Sequence, residues 1–191
     1  EGYRSRFDHA DEHMEPGYYS VILKDYKVRA ELTTTNRAGI HRYTFPASDQ
    51  SYLILDLQHG YGGGEGPVTS AELRQTAPDT LAGGHITSAW GKDRHAYFTM
   101  QVSKKPERIV FYKDDAETPA PAAGADLTGK NLKAVLYFKT QANEVIHVKT
   151  GISGVSAENA QKNLTAEVPA WDFDKARRAA KLAWRRQLSK I

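Results

Sequence analysis

Residues 28–57 read VRAELTTTNRAGIHRYTFPASDQSYLILDL, and this stretch decides the fold class. Val28, Ala30 and Leu32 alternate with Arg29, Glu31 and Thr33, and Ile40, Arg42 and Thr44 alternate with His41, Tyr43 and Phe45. A period of two places side chains on opposite sides of a strand, so each run predicts a strand with two distinct faces. Tyr52–Leu57 is nearly all apolar, which predicts a strand buried on both faces. Asn36, Pro46 and Asp49 punctuate the runs as turn residues do.

The same pattern extends in both directions. Upstream, Pro16-Gly17 closes a polar, irregular segment over 1–16, and Tyr18–Leu23 predicts a strand. Downstream, strands are predicted at Val68–Gln75, His85–Ser88, His95–Ser103, Arg108–Tyr112, Leu132–Lys139 and Val145–Thr150. The stretch 118–129, rich in Pro, Ala and Gly, predicts a surface loop. Strands every 8–15 residues, with turns and no helices between them, indicate an antiparallel β-sandwich rather than βαβ units. The last forty residues change character. Ser156 is placed to cap a helix over 157–168 that Pro169 helps to end, and Asp172 or Asp174 to cap a second. In that second helix Phe173, Ala176, Ala180, Trp184, Leu188 and Ile191 recur at helical spacing. The division expected is a sandwich over 1–152 and two helices within 153–191.

The chain of 191 residues is long enough to bury a core without disulfides or metals. It is 40% hydrophobic and 26% charged, which excludes disorder of the whole chain. No apolar run reaches the length of a membrane span. Having no cysteine excludes thiolate nucleophiles and Cys-based zinc sites. The net charge of +3 is concentrated at one end, since residues 172–191 hold seven Lys/Arg against two Asp. A body that is slightly acidic once that segment is removed disfavours nucleic acid as a partner. The start at Glu1 without Met and the end inside a helical pattern lead us to expect a segment of a longer polypeptide, its sandwich incomplete at the N-terminus.

Motifs that carry chemistry elsewhere have bland explanations here. His9-Ala10-Asp11-Glu12-His13 spells H-x-x-E-H, but zinc binding needs both histidines on one helical face, and Pro16-Gly17 follows at once. A polar loop with hydrogen-bonded histidines, its acids balanced by Arg4 and Arg6, fits better. The glycine-rich 60–67 has neither the Lys-Ser/Thr nor the helix start of a phosphate cradle, and reads as a hairpin or crossover loop. Gly151-Ile152-Ser153-Gly154-Val155 ends in Val where a nucleophile elbow needs Gly, and reads as the exit from the last strand. The acidic pairs Asp11/Glu12 and Asp114/Asp115 are sequence neighbours, whereas glycosidase carboxylates must flank a bond. The sequon Asn163-Leu164-Thr165 falls inside a predicted helix and would be idle in a bacterium. The basic terminal helix could suit a membrane surface. Packing of Phe173, Trp184 and Leu188 on a neighbouring domain explains it more simply.

Several phrases then fall in order: Phe7-Asp8-His9, Pro16-Gly17-Tyr18-Tyr19-Ser20-Val21, Ala30 to Thr35, and His41-Arg42-Tyr43-Thr44-Phe45-Pro46. Ile54-Leu55-Asp56-Leu57, Trp90 before Tyr97-Phe98, Gly154 to Ala160 and Trp171-Asp172-Phe173-Asp174 complete the set. Together they resemble the N-terminal domain of glycoside hydrolase family 92, the calcium-dependent exo-α-mannosidases, over nearly the whole chain. The resemblance implies a sandwich of the galactose-mutarotase-like type and a helical linker to an (α/α)6 barrel. That barrel carries the acid, the base and the calcium ligands for inverting hydrolysis of α-mannosides, α-1,2 links among them. It implies a periplasmic or secreted bacterial enzyme acting on a glycan. No position of this chain matches a catalytic or calcium-ligating residue of the family, so none is expected here, and the segment alone is expected to be inactive. Phe7-Asp8-His9 departs from the usual Phe-Ser-His wording. Two alternatives stand beside this: a carbohydrate-binding module in which Trp90, Tyr61 or Trp171 stacks on sugar, and a domain that only mediates assembly.

Overall fold

The structure is a computed structural model, and it describes residues 3–59, 68–89 and 91–190. Thirteen strands fill it up to residue 153. They are β1 (His13–Glu15), β2 (Tyr18–Leu23), β3 (Val28–Thr34), β4 (Ala38–Phe45), β5 (Ser48–Asp56), β6 (Val68–Ala77), β7 (Thr80–Thr87), β8 (Arg94–Val102), β9 (Arg108–Lys113), β10 (Ala116–Thr118), β11 (Leu127–Gly129), β12 (Leu132–Thr140) and β13 (Glu144–Ser153). Two helices come after them, α1 (Ala157–Glu167) and α2 (Phe173–Leu188). Every strand pair is antiparallel. A nine-stranded sheet runs β1-β2-β3-β4-β13-β8-β7-β6-β11, and a four-stranded sheet runs β10-β9-β12-β5. Strand β13 joins the halves of the large sheet, pairing with β4 on one side and β8 on the other.

Alternation explains the core. On β12, Leu132, Ala134, Leu136 and Phe138 point inward and are buried. They meet Phe45, Leu73, Leu81, Phe98, Val102 and Ile146 of the large sheet. The large sheet has a second apolar face. Tyr18, Ala38 and Ile40 project outward from β2 and β4 and are covered by Leu164 and Val168 at α1 and by Phe173 of α2. Helix α1 lies across β13 and β8, and α2 across β2, β3 and β4. The architecture is therefore a sandwich with a third, helical layer on one outer side.

Both helix starts match the expected caps. The Ser156 hydroxyl accepts from the Asn159 amide at 3.2 Å, and the Asp172 carboxylate from the Lys175 amide at 2.9 Å. Helix α1 lies so close to the sheet that a Cβ on Gly151 would stand 2.2 Å from the Ala160 carbonyl oxygen. Gly151-Ile152-Ser153 indeed belongs to the exit of the last strand. Asn163 of the sequon donates to the Ile152 carbonyl at 2.8 Å.

Several expectations need correcting. Strand β5 is not buried on both faces. It is an edge strand of the small sheet, and Tyr52 to Asp56 are only partly buried. Strand β7 begins at Thr80 rather than His85. Its Gly83 and Gly84 are strand positions where backbone approaches too closely for a Cβ: one on Gly83 would lie 2.1 Å from the Glu72 carbonyl oxygen. The polar segment over 1–16 contains a short 3-10 turn (His9–Asp11) and β1. The loop expected over 118–129 is flanked by β10 and ends in β11. The 60–67 loop lies outside the described residues.

Replacing Gly151 by Ala should cost roughly 1–3 kcal/mol by overpacking the α1 seam. Urea denaturation of the 191-residue chain measures this, and an unchanged midpoint would show that α1 is not held as tightly as the distances require.

Candidate functional site

The groups with the most constrained chemistry lie between the large sheet and the helices. Alternation sends Glu31 of β3 outward, under α2, where it is 5% exposed. A carboxylate cannot be buried unpaired. Arg42, its neighbour on β4, donates from Nε and Nη2 to the two Glu31 oxygens, each at 2.8 Å, and the Tyr18 hydroxyl adds a third bond at 2.8 Å. Arg42 holds the Glu31 carboxyl below its usual range, and Glu31 in turn raises the guanidinium. The guanidinium also lies 4.3 Å from the Phe173 ring centroid and donates to Asp174 at 3.2 Å, so one arginine fixes the start of α2. A second clamp holds the middle of the helix. Glu15 of β1 accepts from Arg177 at 2.8 Å and from Lys181 at 2.9 Å, and these pull its pKa down to about 2. Glu167, at the end of α1, takes the Thr35 hydroxyl, the Arg37 amide and Arg37 Nε at 2.6, 2.9 and 2.7 Å.

Of the aromatic residues singled out from sequence, Phe173 is buried against Tyr18, with ring centroids 6.3 Å apart. Trp171 sits at the junction of α1 and α2, its ring 4.5 Å from Lys149 Nζ and 6.5 Å from the His147 ring. Lys149 is buried and donates to the Val168 carbonyl at the end of α1 at 3.3 Å, and burial lowers its pKa. Trp171 is thus engaged in covering a lysine. Trp184 and Leu188 are half-exposed on the far part of α2. Tyr61 and Trp90 lie outside the described residues. The structure therefore places Phe173 and Trp184 on one helix and sets Trp171 apart from them.

One feature carried no sequence signal. A cavity of 280 Å³ opens between the first part of β5 and strands β2 to β4, lined by Tyr3, Tyr26, Tyr43, Phe45, Tyr52 and Leu53 among others. Its walls come from segments distant in sequence. Burial pushes the Tyr43 and Tyr52 hydroxyls up to about 12. Tyr43 is hydrogen-bonded to His41 Nδ1 at 3.0 Å, and Ser51 to Thr140 at 2.7 Å. The Tyr26 hydroxyl also has an internal partner, the Arg4 carbonyl, and the lining is mainly apolar.

Among the described residues no group of three or more His, Cys, Asp or Glu gathers as metal ligands would. The H-x-x-E-H phrase, expected as a polar loop, folds as the 3-10 turn over His9–Asp11 leading into β1. His9 Nδ1 is 2.9 Å from Glu12, whose other oxygen accepts from Tyr19, and His13 lies on β1. Its acids are not balanced by Arg4 and Arg6. Lys24 pairs with Asp8 and Asp11, and Arg6 with Asp25.

The fold is thus an antiparallel sandwich with a helical outer layer. Residues 1–153 match the glycosyl hydrolase family 92 N-terminal domain, and the chain belongs to that family. An α-mannosidase of the family from Bacteroides thetaiotaomicron, solved with mannoimidazole, is 35% identical, with a TM-score of 0.90 over 99% of this chain. An inverting mannosidase of the family from the same organism is 21% identical over 97% of the chain, with a TM-score of 0.81, and shares the fold. A secreted glycosidase of Arthroderma benhamiae is 26% identical over 92% of the chain. The chain spans about a quarter of the length of these relatives, 25%, 24% and 25% respectively.

Arg42→Ala would strand the Glu31 carboxylate beneath α2 and should cost about 3 kcal/mol, read by denaturant unfolding. Glu15 and Glu31 both have folded pKa values below their unfolded ones. Their stabilisation is complete above the ordinary glutamate range, near ~4.3, and is lost as pH falls toward 2. Thermal unfolding of the Glu15→Gln variant should therefore fall less steeply than wild type between pH 5 and about 2.5. Parallel slopes would show that the clamp does not form.

Proposed function

We propose that this chain is the N-terminal wall and linker of an exo-acting α-mannosidase that hydrolyses α-mannosides, α-1,2 links among them, with inversion. The reading is carried by one observation: 35% identity and a TM-score of 0.90, over 99% of the chain, to a family 92 α-mannosidase four times as long. Inverting hydrolysis needs two carboxyl groups about 6.5–9.5 Å apart with a water between them. The acids of the helix–sheet seam are committed instead to Arg42, Arg37, Arg177 and Lys181. On this reading, which follows the family resemblance, the acid and the base lie in the remainder of the polypeptide, an (α/α)6 barrel. The same holds for calcium. On the same resemblance the ion is bound outside this segment.

In this division of labour residues 1–152 form a rigid wall and 153–191 the linker. A site between two bodies excludes water best when each is stiff, and the ion-paired seam makes this one stiff. The Arthroderma benhamiae relative is named as secreted, and among the described residues no helix is long and apolar enough to cross a membrane. The first of these supports a periplasmic or secreted enzyme.

The test is mannose release from α-1,2-linked mannobiose by the complete polypeptide and by the 191-residue chain, with calcium and with chelator. Release by the complete polypeptide alone, abolished by chelator, is the expected result. Calcium-dependent release by the 191-residue chain would overturn the assignment.

A further inference from the structure

Beyond α1 the outer face of the large sheet changes character. Thr99 of β8 donates to the Ala157 carbonyl of α1 at 3.1 Å. Tyr97, two residues earlier on the strand, therefore projects to the same, helical side. The strand register continues its row as Thr128, Glu72, Gly84, Tyr97 and Ser153, across β11, β6, β7, β8 and β13. No aliphatic side chain stands in that row. Helix α1 covers the adjacent one instead, where Glu158 pairs with Arg74 at 3.0 Å. Glu72 and Tyr97 are left half-buried, with Ser70 and His95 exposed beside them.

Gly84 decides the shape of this surface. A Cβ there would stand 2.6 Å from Tyr97 Cδ1 and 2.8 Å from the Ala96 carbonyl oxygen. The Tyr97 ring thus leans across the glycine rather than standing up from the sheet. Its hydroxyl is 3.0 Å from His95 Nδ1, and the two rings lie 5.9 Å apart, 32° from parallel. Together they make a shallow aromatic floor. Glu72 rises on the other side of Gly84, and a hollow of 40 Å³ lies among Ser70, Glu72, Gly84, Ile86 and Tyr97.

Covering a strand glycine is a structural task that any aromatic ring performs. It does not explain a hydroxyl held by an exposed histidine, nor the state of Glu72. Among the described residues Glu72 has no hydrogen-bond or ion-pair partner, because Arg74, two residues on, is taken by Asp126 at 2.9 Å and by Glu158. A carboxylate with its acceptor sites free, beside an aromatic floor, matches a pyranose. The C–H face of the sugar packs on the rings, and its hydroxyls donate to the carboxylate. Among the described residues nothing takes the second His95 nitrogen, which serves a hydroxyl as donor or as acceptor. An organic cation uses the carboxylate and the ring but gains nothing from that nitrogen.

Building on the reading of this chain as the first part of an α-mannosidase, we propose that Tyr97, His95 and Glu72 form a saccharide site that holds one hexopyranose of a branched glycan. Trp171, singled out from sequence for stacking, is not its platform, because that ring covers Lys149. The hollow admits one edge of a sugar ring, so binding is millimolar. Tethering makes so weak a contact useful. A glycan engaged elsewhere on the same polypeptide meets this site at a high effective concentration. A branched glycan is then held by two of its ends, and a disaccharide by one.

The experiment titrates the 191-residue chain and its Glu72→Gln and Tyr97→Ala variants with methyl α-mannoside, following the tyrosine and histidine ring resonances by NMR. In wild type the Tyr97 and His95 rings should shift with a millimolar Kd. Glu72→Gln, which keeps the size of the side chain, should weaken binding about tenfold. Tyr97→Ala should abolish it; where that variant loses stability by uncovering Gly84, Glu72→Gln decides alone. In the complete polypeptide, Glu72→Gln should lower the ratio of kcat/KM on a branched mannan to kcat/KM on α-1,2-linked mannobiose. Absence of ring shifts in wild type, or equal affinity in Glu72→Gln, would overturn the proposal. So would shifts produced by ethylammonium and not by the sugar, since they assign the hollow to a cation. Sugar binding by the short chain without mannose release by the complete polypeptide would sink the functional reading and leave the site standing. Release without sugar binding by the short chain would do the reverse.

Discussion

The large sheet is apolar on both sides, and everything else in the molecule answers to that. A sheet with one apolar face needs one cover. This one needs two, because Phe45, Leu73, Phe98 and Ile146 line its inner side while Tyr18, Ala38 and Ile40 line the outer. The four-stranded sheet covers the first set, and the two helices cover the second. The outer cover is not purely apolar. It encloses the Glu31–Arg42 pair, and a buried ion pair of this kind fixes geometry more than it adds stability. Here it sets the position of α2, because Arg42 reaches both Phe173 and Asp174.

Much of this was legible in the residues. Alternation over 18–23, 28–34 and 40–45 placed three strands within two residues of their observed limits, and both helix caps lay at anticipated positions. The misreadings have physical causes. Tyr52–Leu57 is apolar because it borders the core and the tyrosine-lined cavity, not because sheets enclose it. Strand β7 starts ahead of His85 because Gly83-Gly84 admits a neighbouring backbone. Strands β1, β10 and β11, three residues each, are too short to show a period. At the seam, Glu31 was visible only as the polar member of an alternating run. Its environment depends on Asp174 and Phe173, which lie over 130 residues away, and a local pattern cannot report such partners.

On the proposed reading, what this domain would contribute is shape and rigidity. Each helix is tied to the sheet by an apolar residue and an ionic contact: Leu164 with Glu167 for α1, and Phe173 with Asp174 for α2. Such paired anchoring resists both sliding and lifting. Apolar contacts oppose separation, and directional hydrogen bonds oppose displacement along the sheet. From Lys181 onward the described residues of α2 are exposed and lie beyond this paired anchoring.

The place of β13 in the sheet bears on how the protein is made. Its partners β4 and β8 end at Phe45 and Val102, but β13 itself is not complete until Ser153. A ribosome adding about 5–20 residues per second takes roughly 5–20 s to travel from Phe45 to Ser153. During that interval the four-stranded meander β1–β4 has a bare edge at β4 and no outer cover. Such an edge is open to strands of other nascent chains. In this topology the inner strand of the sheet arrives last, so the newborn chain must survive an open seam that the finished domain never displays.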